Sequence, residues 1–396
     1  MALALLATVA LAPAAPAGAE VACAASPAPG SALPGVPWPQ ARYDLRRLAG
    51  TADGSGITVA VVDSGVDAGN PQLTGTVLPG ADLLRPGGTG RRDCIGHGTA
   101  VASIIAAAPV AGTDFVGVAP KARILPYRVT EHEIVNGHGQ GQDAPPGALA
   151  KAIRDAADHA QVINLSLTQD ADDPQLRAAV GYAVARDVVV VAAVGNQHRD
   201  GVTDPASYPA GYPGVIGVGA IDENGVRVSQ SQVGAYVSVV APGSGVVADA
   251  PGRGLARYDG TSFAAPFVSG TAALIRQYHP GIHADEVIAR ILATADPAPG
   301  GRPSAQYGYG ILNPYRAVTE QVASARPRVP APAVGAGAGA GGAAAAGAAG
   351  GSGTAPARGT ALLLALGAVL LAGLIALVAT VVPRGSARGW RPGDAG

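Results

Sequence analysis

Three residues of this chain could together make a hydroxyl reactive toward amides. Asp63 stands in VAVVDSGVD, His97 in DCIGHGTAVASIIAA and Ser262 in YDGTSFAAPFVSGTAALI. A serine hydroxyl alone is a poor nucleophile. It needs an imidazole to take its proton, and the imidazole needs a buried carboxylate to hold its tautomer and stabilise its charged form. Read singly, each residue has a plainer use: Asp63 as a turn cap after a strand, His97 as a surface histidine opening a helix, Ser262 as an N-cap. Their joint occurrence in the order acid, base, hydroxyl, each at an element end, points to nucleophilic catalysis. Glycines flank all three (Gly65, Gly96, Gly98, Gly260) and permit close backbone approach. A helix starting at Ser262 would also aim unpaired N–H groups at a developing oxyanion. Asn196, in VVVVAAVGNQ after an apolar run, is a fourth candidate. Its amide can donate to a tetrahedral intermediate, where its plainer use is a turn after a strand.

Those side chains need a frame that brings distant segments to one crevice. Ile57–Val62, Val162–Leu167, Val188–Val194 and Val215–Ile221 are short, nearly continuous apolar runs. They read as strands covered on both faces, hence a parallel sheet. Helical segments alternate with them at 97–107, 147–160, 174–186, 262–278 and 284–294. The expected class is α/β in three layers, a twisted, mostly parallel sheet with helices on both faces. In such sheets ligands sit at the carboxyl ends of strands.

The motifs D-S-G-V, H-G-T-x-V-A, A-x-G-N and G-T-S-x-A-x-P-x-V-S-G, in this order, resemble the subtilisin-like serine peptidases (peptidase S8) over residues 38–320. The whole layout is similar to the mycosins, the membrane-anchored subtilisin-like peptidases of actinobacterial type VII secretion systems. The shared features are a signal peptide, a Pro-rich extension with one Cys, D-C-x-G-H-G-T with a second, G-T-S-F-A-A-P-F-V-S-G, a flexible linker and one C-terminal membrane helix. The resemblance implies Asp63, His97 and Ser262 as the charge-relay residues and Asn196 as the oxyanion donor. It also implies a polypeptide substrate and a subtilisin-like fold.

The two ends carry addresses. Residues 1–19 read as a secretory signal, an apolar run before Ala17-Gly18-Ala19. Residues 20–39 form an N-terminal extension, too short for a folded inhibitory pro-domain and expected to lie along the domain as a permanent strap. Residues 40–320 are the peptidase domain and 321–360 an Ala/Gly/Pro-rich linker that cannot bury a core. Residues 361–382 (ALLLALGAVLLAGLIALVATVV) carry no charge. At about 1.5 Å per residue they make a helix of about 33 Å, enough to cross a hydrocarbon core of about 30 Å. Arg384, Arg388 and Arg391 follow, so residues 383–396 are a short cytoplasmic tail and the domain is extracytoplasmic.

The composition excludes other classes. The chain of 396 residues balances 27 basic against 28 acidic ones, net −1, without the basic excess of a nucleic-acid binder. At 14% charged residues and a mean hydropathy of +0.25 it is no disordered protein. His132, His138, His159, His198, His279 and His283 show no metal-ligand spacing, and no metal or other cofactor is expected. His132 and His138 fall in a Gly-rich stretch (EHEIVNGHGQGQDAPPG) expected to be an exposed, mobile loop.

Cys23 and Cys94 are the two cysteines. They are either free buried thiols or, outside the membrane, a disulfide. A bridge would close a loop of about 70 residues, worth roughly 4 kcal/mol by chain entropy. It would tie the extension near His97. Two departures from the resembled families stand out. Many mycosins carry a second cysteine pair, which this chain lacks. Thr168-Gln169-Asp170 stand where many secreted subtilisins have glycines at the rim of the specificity pocket. The resemblance thus implies a membrane-anchored serine endopeptidase processing proteins exported by type VII secretion. The alternative is a mainly structural component of the secretion complex with dispensable activity.

Overall fold

Runs of Val, Ile and Ala without a polar face are stable as strands only where helices cover both sides, and the chain supplies those helices. The computed structural model describes residue 23 and residues 28–131, 133–135 and 138–322. The signal sequence, the linker from residue 323, the apolar stretch 361–382, the tail and His132 lie outside the described residues. Among the described residues no helix is long and apolar enough to cross a membrane.

In chain order the elements begin with α1 (Trp38–Tyr43), α2 (Leu45–Ala49), β1 (Thr58–Asp63), β2 (Ala81–Asp82), α3 (His97–Ala106) and β3 (Arg123–Arg128). There follow β4 (Glu133–Val135), β5 (His138–Gln140), α4 (Ala148–His159), β6 (Val162–Leu165), α5 (Pro174–Ala185), β7 (Val189–Ala193) and β8 (Val215–Ile221). The last are β9 (Val239–Pro242), β10 (Val246–Asp249), β11 (Leu255–Tyr258), α6 (Thr261–Tyr278), α7 (Ala284–Thr294) and α8 (Pro314–Thr319).

Seven strands form one sheet in the order β2-β3-β1-β6-β7-β8-β9. All its neighbours are parallel. The strand period of two splits each apolar run between two cores. Val59 and Val61 pack with residues of α3 and α6 on one face, and Ala60 and Val62 pack with residues of α4 and α5 on the other. On α6, Phe267, Val268, Leu274 and Ile275 have no exposed surface, each contributing about 1.5–3 kcal/mol. The chain runs from β1 to β3 on one side and returns to β6 on the other. The sheet order therefore reverses beside β1, and its carboxyl end is where a crevice opens.

The helices and the four expected strands lie within a few residues of their expected bounds, with two differences that matter. Asp63 is the last residue of β1 itself and is register-paired with Arg128. β6 stops at Leu165, so Ser166–Gln169 leave the sheet. β3 went unseen because Arg-Ile-Leu-Pro-Tyr-Arg carries a proline. A Cβ on Gly80 or Gly90 would fall within 3 Å of the Pro126 carbonyl oxygen, which therefore faces that side. The ring nitrogen faces the same way, and pairing with β2 begins only at Tyr127, so no ladder bond is lost. The Gly-rich stretch expected as a loop contains the antiparallel pair β4–β5, closed off by a Thr130–Asp143 bridge. A second hairpin, β10–β11, receives the extension: Ser31 and Leu255 exchange backbone bonds of 3.0 and 2.9 Å. Trp38 Nε1 donates to the Ser244 carbonyl at 3.0 Å.

Candidate active site

The carboxyl end of β1 delivers Asp63, whose side chain is 3% exposed, and α3 begins with His97. His97 Nδ1 lies 2.7 Å from Asp63 Oδ1, which also accepts the Ser64 N–H at 2.7 Å. A carboxylate only accepts, so Nδ1 carries the hydrogen and Nε2 is left as a base. A glycine is needed at position 98: a Cβ there would meet the Gly65 carbonyl at 2.1 Å and Asp63 Oδ1 at 3.2 Å. Burial pulls the His97 pKa down. The Asp63 charge and hydrogen bond, with a contribution from Asp93, outweigh that pull and raise it above the ordinary histidine value.

Asp93 builds the loop that holds the imidazole. It is 4% exposed. Its Oδ1 accepts from Ser64 Oγ (2.9 Å), Ile95 N (3.0 Å) and Gly96 N (2.7 Å). Its Oδ2 accepts from Thr99 N (2.8 Å) and Thr99 Oγ1 (2.7 Å). Ser64 Oγ in turn accepts Gly98 N at 2.9 Å. One carboxylate thus gathers the amides at the start of α3 on both sides of His97. Burial raises its pKa, against the pull of the Thr99, Gly96 and Ile95 donors.

Ser262 is not an N-cap. Gly260 occupies that position, and Ser262 is the second residue of α6. Its hydroxyl is therefore free of capping duty. Pro266, four residues on, has no N–H to give the Ser262 carbonyl. Ser166 Oγ supplies the missing donor at 2.7 Å, and the Ser262 hydroxyl donates back to the Ser166 carbonyl at 3.2 Å. Ser166 Oγ is itself held by Asn164 Nδ2 (2.9 Å), and Asn164 Oδ1 by Ser269 Oγ (2.8 Å). Among the described residues, the hydroxyl's hydrogen-bond partner is Ser166 and not the His97 ring. The start of α6 nevertheless sits at the imidazole, with the Phe263 and His97 ring centroids 5.1 Å apart.

Asn196 follows the end of β7 and is exposed. Its Oδ1 accepts the Thr261 N–H at 2.9 Å, which holds the side-chain amide at the start of α6 with its Nδ2 as the donor end. Gly195 before it has φ +98°, and a Cβ there would lie 1.9 Å from Gln232 Oε1, so the tight turn that presents Asn196 excludes other residues. Sulfur links Cys23 to Cys94, with Cα atoms 5.5 Å apart. Arg128 Nη2 contacts Cys94 Sγ at 3.3 Å. Gln169 and Tyr208 exchange backbone bonds of 2.8 and 2.9 Å. Beside Leu167–Gln169 lies an open cavity of about 450 Å³ with Val129, Leu149 and Leu176 in its walls.

The sequence reading named Asp63, His97, Ser262 and Asn196, but it missed Asp93, Asn164 and Ser166. Asn164 had a signal, a polar residue inside the apolar run VINL where both faces are covered, and it is fully buried. Asp93 had none beyond its place in D-C-x-G-H-G-T.

Residues 54–310 match the model of the subtilase family. Mycosin-1 of Mycobacterium tuberculosis is 37% identical over 337 residues, spanning 74% of this chain and 75% of that protein. Thermitase of Thermoactinomyces vulgaris is 39% identical over 67% of this chain and 90% of its own. A crystal structure of MycP1 from Mycobacterium smegmatis superposes with a TM-score of 0.65 at 30% identity, covering 76% of this chain and 90% of that one. The MycP3 protease from the type VII (ESX-3) secretion system superposes at 0.63 with 34% identity, covering 74% and 92%.

Proposed function

The chain belongs to the subtilase family and is a serine endopeptidase, and from that premise we propose that it acts while anchored in the membrane, outside the cytoplasm, on proteins exported by a type VII secretion system. The observation that carries the catalytic assignment is the 2.7 Å contact between His97 Nδ1 and Asp63 Oδ1 beside the first turn of α6. In the proposed reaction the Ser262 hydroxyl leaves the Ser166 carbonyl and turns to His97 Nε2. The imidazole takes the proton as Oγ attacks a peptide carbonyl, and Asp63 stabilises the imidazolium. Asn196 Nδ2 and the Ser262 backbone N–H donate to the oxyanion. His97 then protonates the leaving amine, and water attacking through the same base releases the acyl group.

The anchoring rests on the uncharged stretch 361–382 and the arginines after it, the export on residues 1–19. The peptidase domain is taken as 40–320, with 20–39 as a strap and 321–360 as a tether. A tether confines the enzyme to substrates passing close to the membrane, which suits processing better than bulk digestion. The secretion role follows the likeness to mycosin-1 and to the MycP3 protease of the ESX-3 system. Complementation of a null strain separates this from a purely structural part. Ser262→Ala should reach the membrane in normal amount, lose peptide hydrolysis and fail to restore cleavage of an exported protein. Full restoration of secretion by that variant would support the scaffold role instead.

A further inference from the structure

Asn196 is exposed, and among the described residues a single hydrogen bond, from the Thr261 N–H, fixes its side chain. Its placement is therefore set largely by its backbone. Segment 230–233 runs beside that backbone and grips it on both sides of Asn196. Gln232 N donates to the Gly195 carbonyl at 3.0 Å, and His198 N donates to the Gln230 carbonyl at 3.1 Å. Beyond His198 the chain leaves this support. Residues 199–203 are all exposed and form a loop that returns to the domain at Asp204.

The His198 ring closes that loop. Its Nδ1 lies 2.8 and 2.9 Å from the two carboxylate oxygens of Asp204, whose side chain is 2% exposed. A carboxylate only accepts, so Nδ1 carries the hydrogen. Nε2 lies 3.5 Å from Oδ1 of Asp200, in the exposed part of the loop. Asp204 Oδ2 also accepts the Val233 N–H at 2.6 Å. The next carbonyl, of Pro205, accepts Gln232 Nε2 at 3.3 Å and Tyr236 Oη at 3.2 Å. The far end of the loop is thus bonded to the same segment that grips Asn196. A buried carboxylate keeps its place only while donors surround it. Without the imidazole, hydration would draw the Asp204 carboxylate outward together with Val233 and Pro205. Gln230 and Gln232 lie in the same stretch of chain as Val233, so the grip on Gly195 and His198 would loosen with it.

We propose that the clasp between His198 and Asp204 positions the oxyanion donor, a role that rests on the reading of Asn196 as that donor. By fixing segment 230–233, the clasp holds Asn196 Nδ2 at the start of α6. His198 and Asp204 are positioning residues and need no contact with substrate.

The phosphonyl oxygen of a serine-directed fluorophosphonate takes the place of the oxyanion, so its rate of labelling on the purified full chain reads the donors without a known substrate. His198→Ala should lower the maximal labelling rate by about tenfold to 10²-fold, the cost of a group misplaced by up to about 1 Å. The half-saturating probe concentration should stay within about twofold, since only the transition state is affected. Asn196→Ala should slow labelling by about 10²-fold or more. Adding His198→Ala to it should cost less than about twofold further, because the group being positioned is gone. His198→Asn, whose amide nitrogen stands where Nδ1 stood and can still donate to Asp204, should recover most of the rate. A wild-type rate in Asn196→Ala would remove the donor itself, and the clasp's role with it. Slow labelling of Asn196→Ala beside a wild-type rate in His198→Ala, full additivity of the two changes, or no recovery in His198→Asn would overturn the clasp alone.

Discussion

Asp93 offers the sharpest test of how the imidazole is positioned. It accepts three backbone amides (Ile95, Gly96 and Thr99) and two hydroxyls. Hydroxyls can turn elsewhere, but amides cannot. Asp93→Asn can keep an oxygen toward Ile95 and Gly96 while its NH₂ faces Thr99, leaving one buried amide without an acceptor, at about 1–3 kcal/mol. Asp93→Ala strands all three, about 3–6 kcal/mol if water enters the hole and the low half of that range applies. At roughly 2 °C per kcal/mol for a domain of this size, Tm should fall by about 2–6 °C and 6–12 °C respectively. Catalysis should report the charge separately. The Asp93 charge helps raise the His97 pKa, and the base works only when deprotonated. Without that charge the pKa falls, so the acid limb of kcat/KM moves to lower pH in Asp93→Asn. Scanning calorimetry and a pH profile on the purified full chain decide the matter. An alanine variant with Tm within about 2 °C of wild type, or an asparagine variant with an unmoved limb, would refute the reasoning.

Two further perturbations follow from the same geometry. Asp63→Asn removes both the charge and the acceptor at His97 Nδ1, so kcat should fall about 10⁴-fold and the residual acid limb should move to lower pH. The raised His97 pKa also stabilises the fold below the ordinary histidine value, a contribution lost as pH rises through the raised one. The Tm gap between wild type and Asp63→Asn should therefore narrow at alkaline pH; a constant gap contradicts it. Cys94→Ser opens a loop spanning 71 residues, worth at most about 4 kcal/mol by chain entropy. Its Tm should drop, and limited proteolysis should cut residues 28–37 sooner. Unchanged Tm and unchanged cleavage would show that the backbone bonds of Ser31 hold the extension unaided.

Chemistry at element ends was easier to read than the elements themselves. Asp63, His97, Asn196 and Ser262 announce themselves because glycines surround them and because each closes or opens an apolar run. The strands β1, β6, β7 and β8 were legible because each is carried by a short, nearly continuous apolar run, with Asn164 the polar interruption in β6. β3 was hidden by Pro126, whose tolerance depends on a neighbour, β2, of only two residues, a fact of tertiary structure. α1 and α2, at the start of the domain, were not foreseen because WPQARY and LRRLA are too short to show a period. The exchange between Ser166 and Ser262 was out of reach: it exists because Pro266 frees one carbonyl, and a donor from 96 residues away fills the gap. Ser at a helix start suggested an N-cap, yet the cap is Gly260, which leaves the hydroxyl for other use.

The claim on which the mechanism rests is that His97 makes the Ser262 oxygen nucleophilic. A serine-directed fluorophosphonate on the purified full chain, followed by peptide mapping, addresses it directly. The expected result is one adduct on Ser262, absent in Ser262→Ala and largely lost in His97→Ala, where the serine is still present. An adduct on another residue, or equal labelling of the His97→Ala protein, would contradict it.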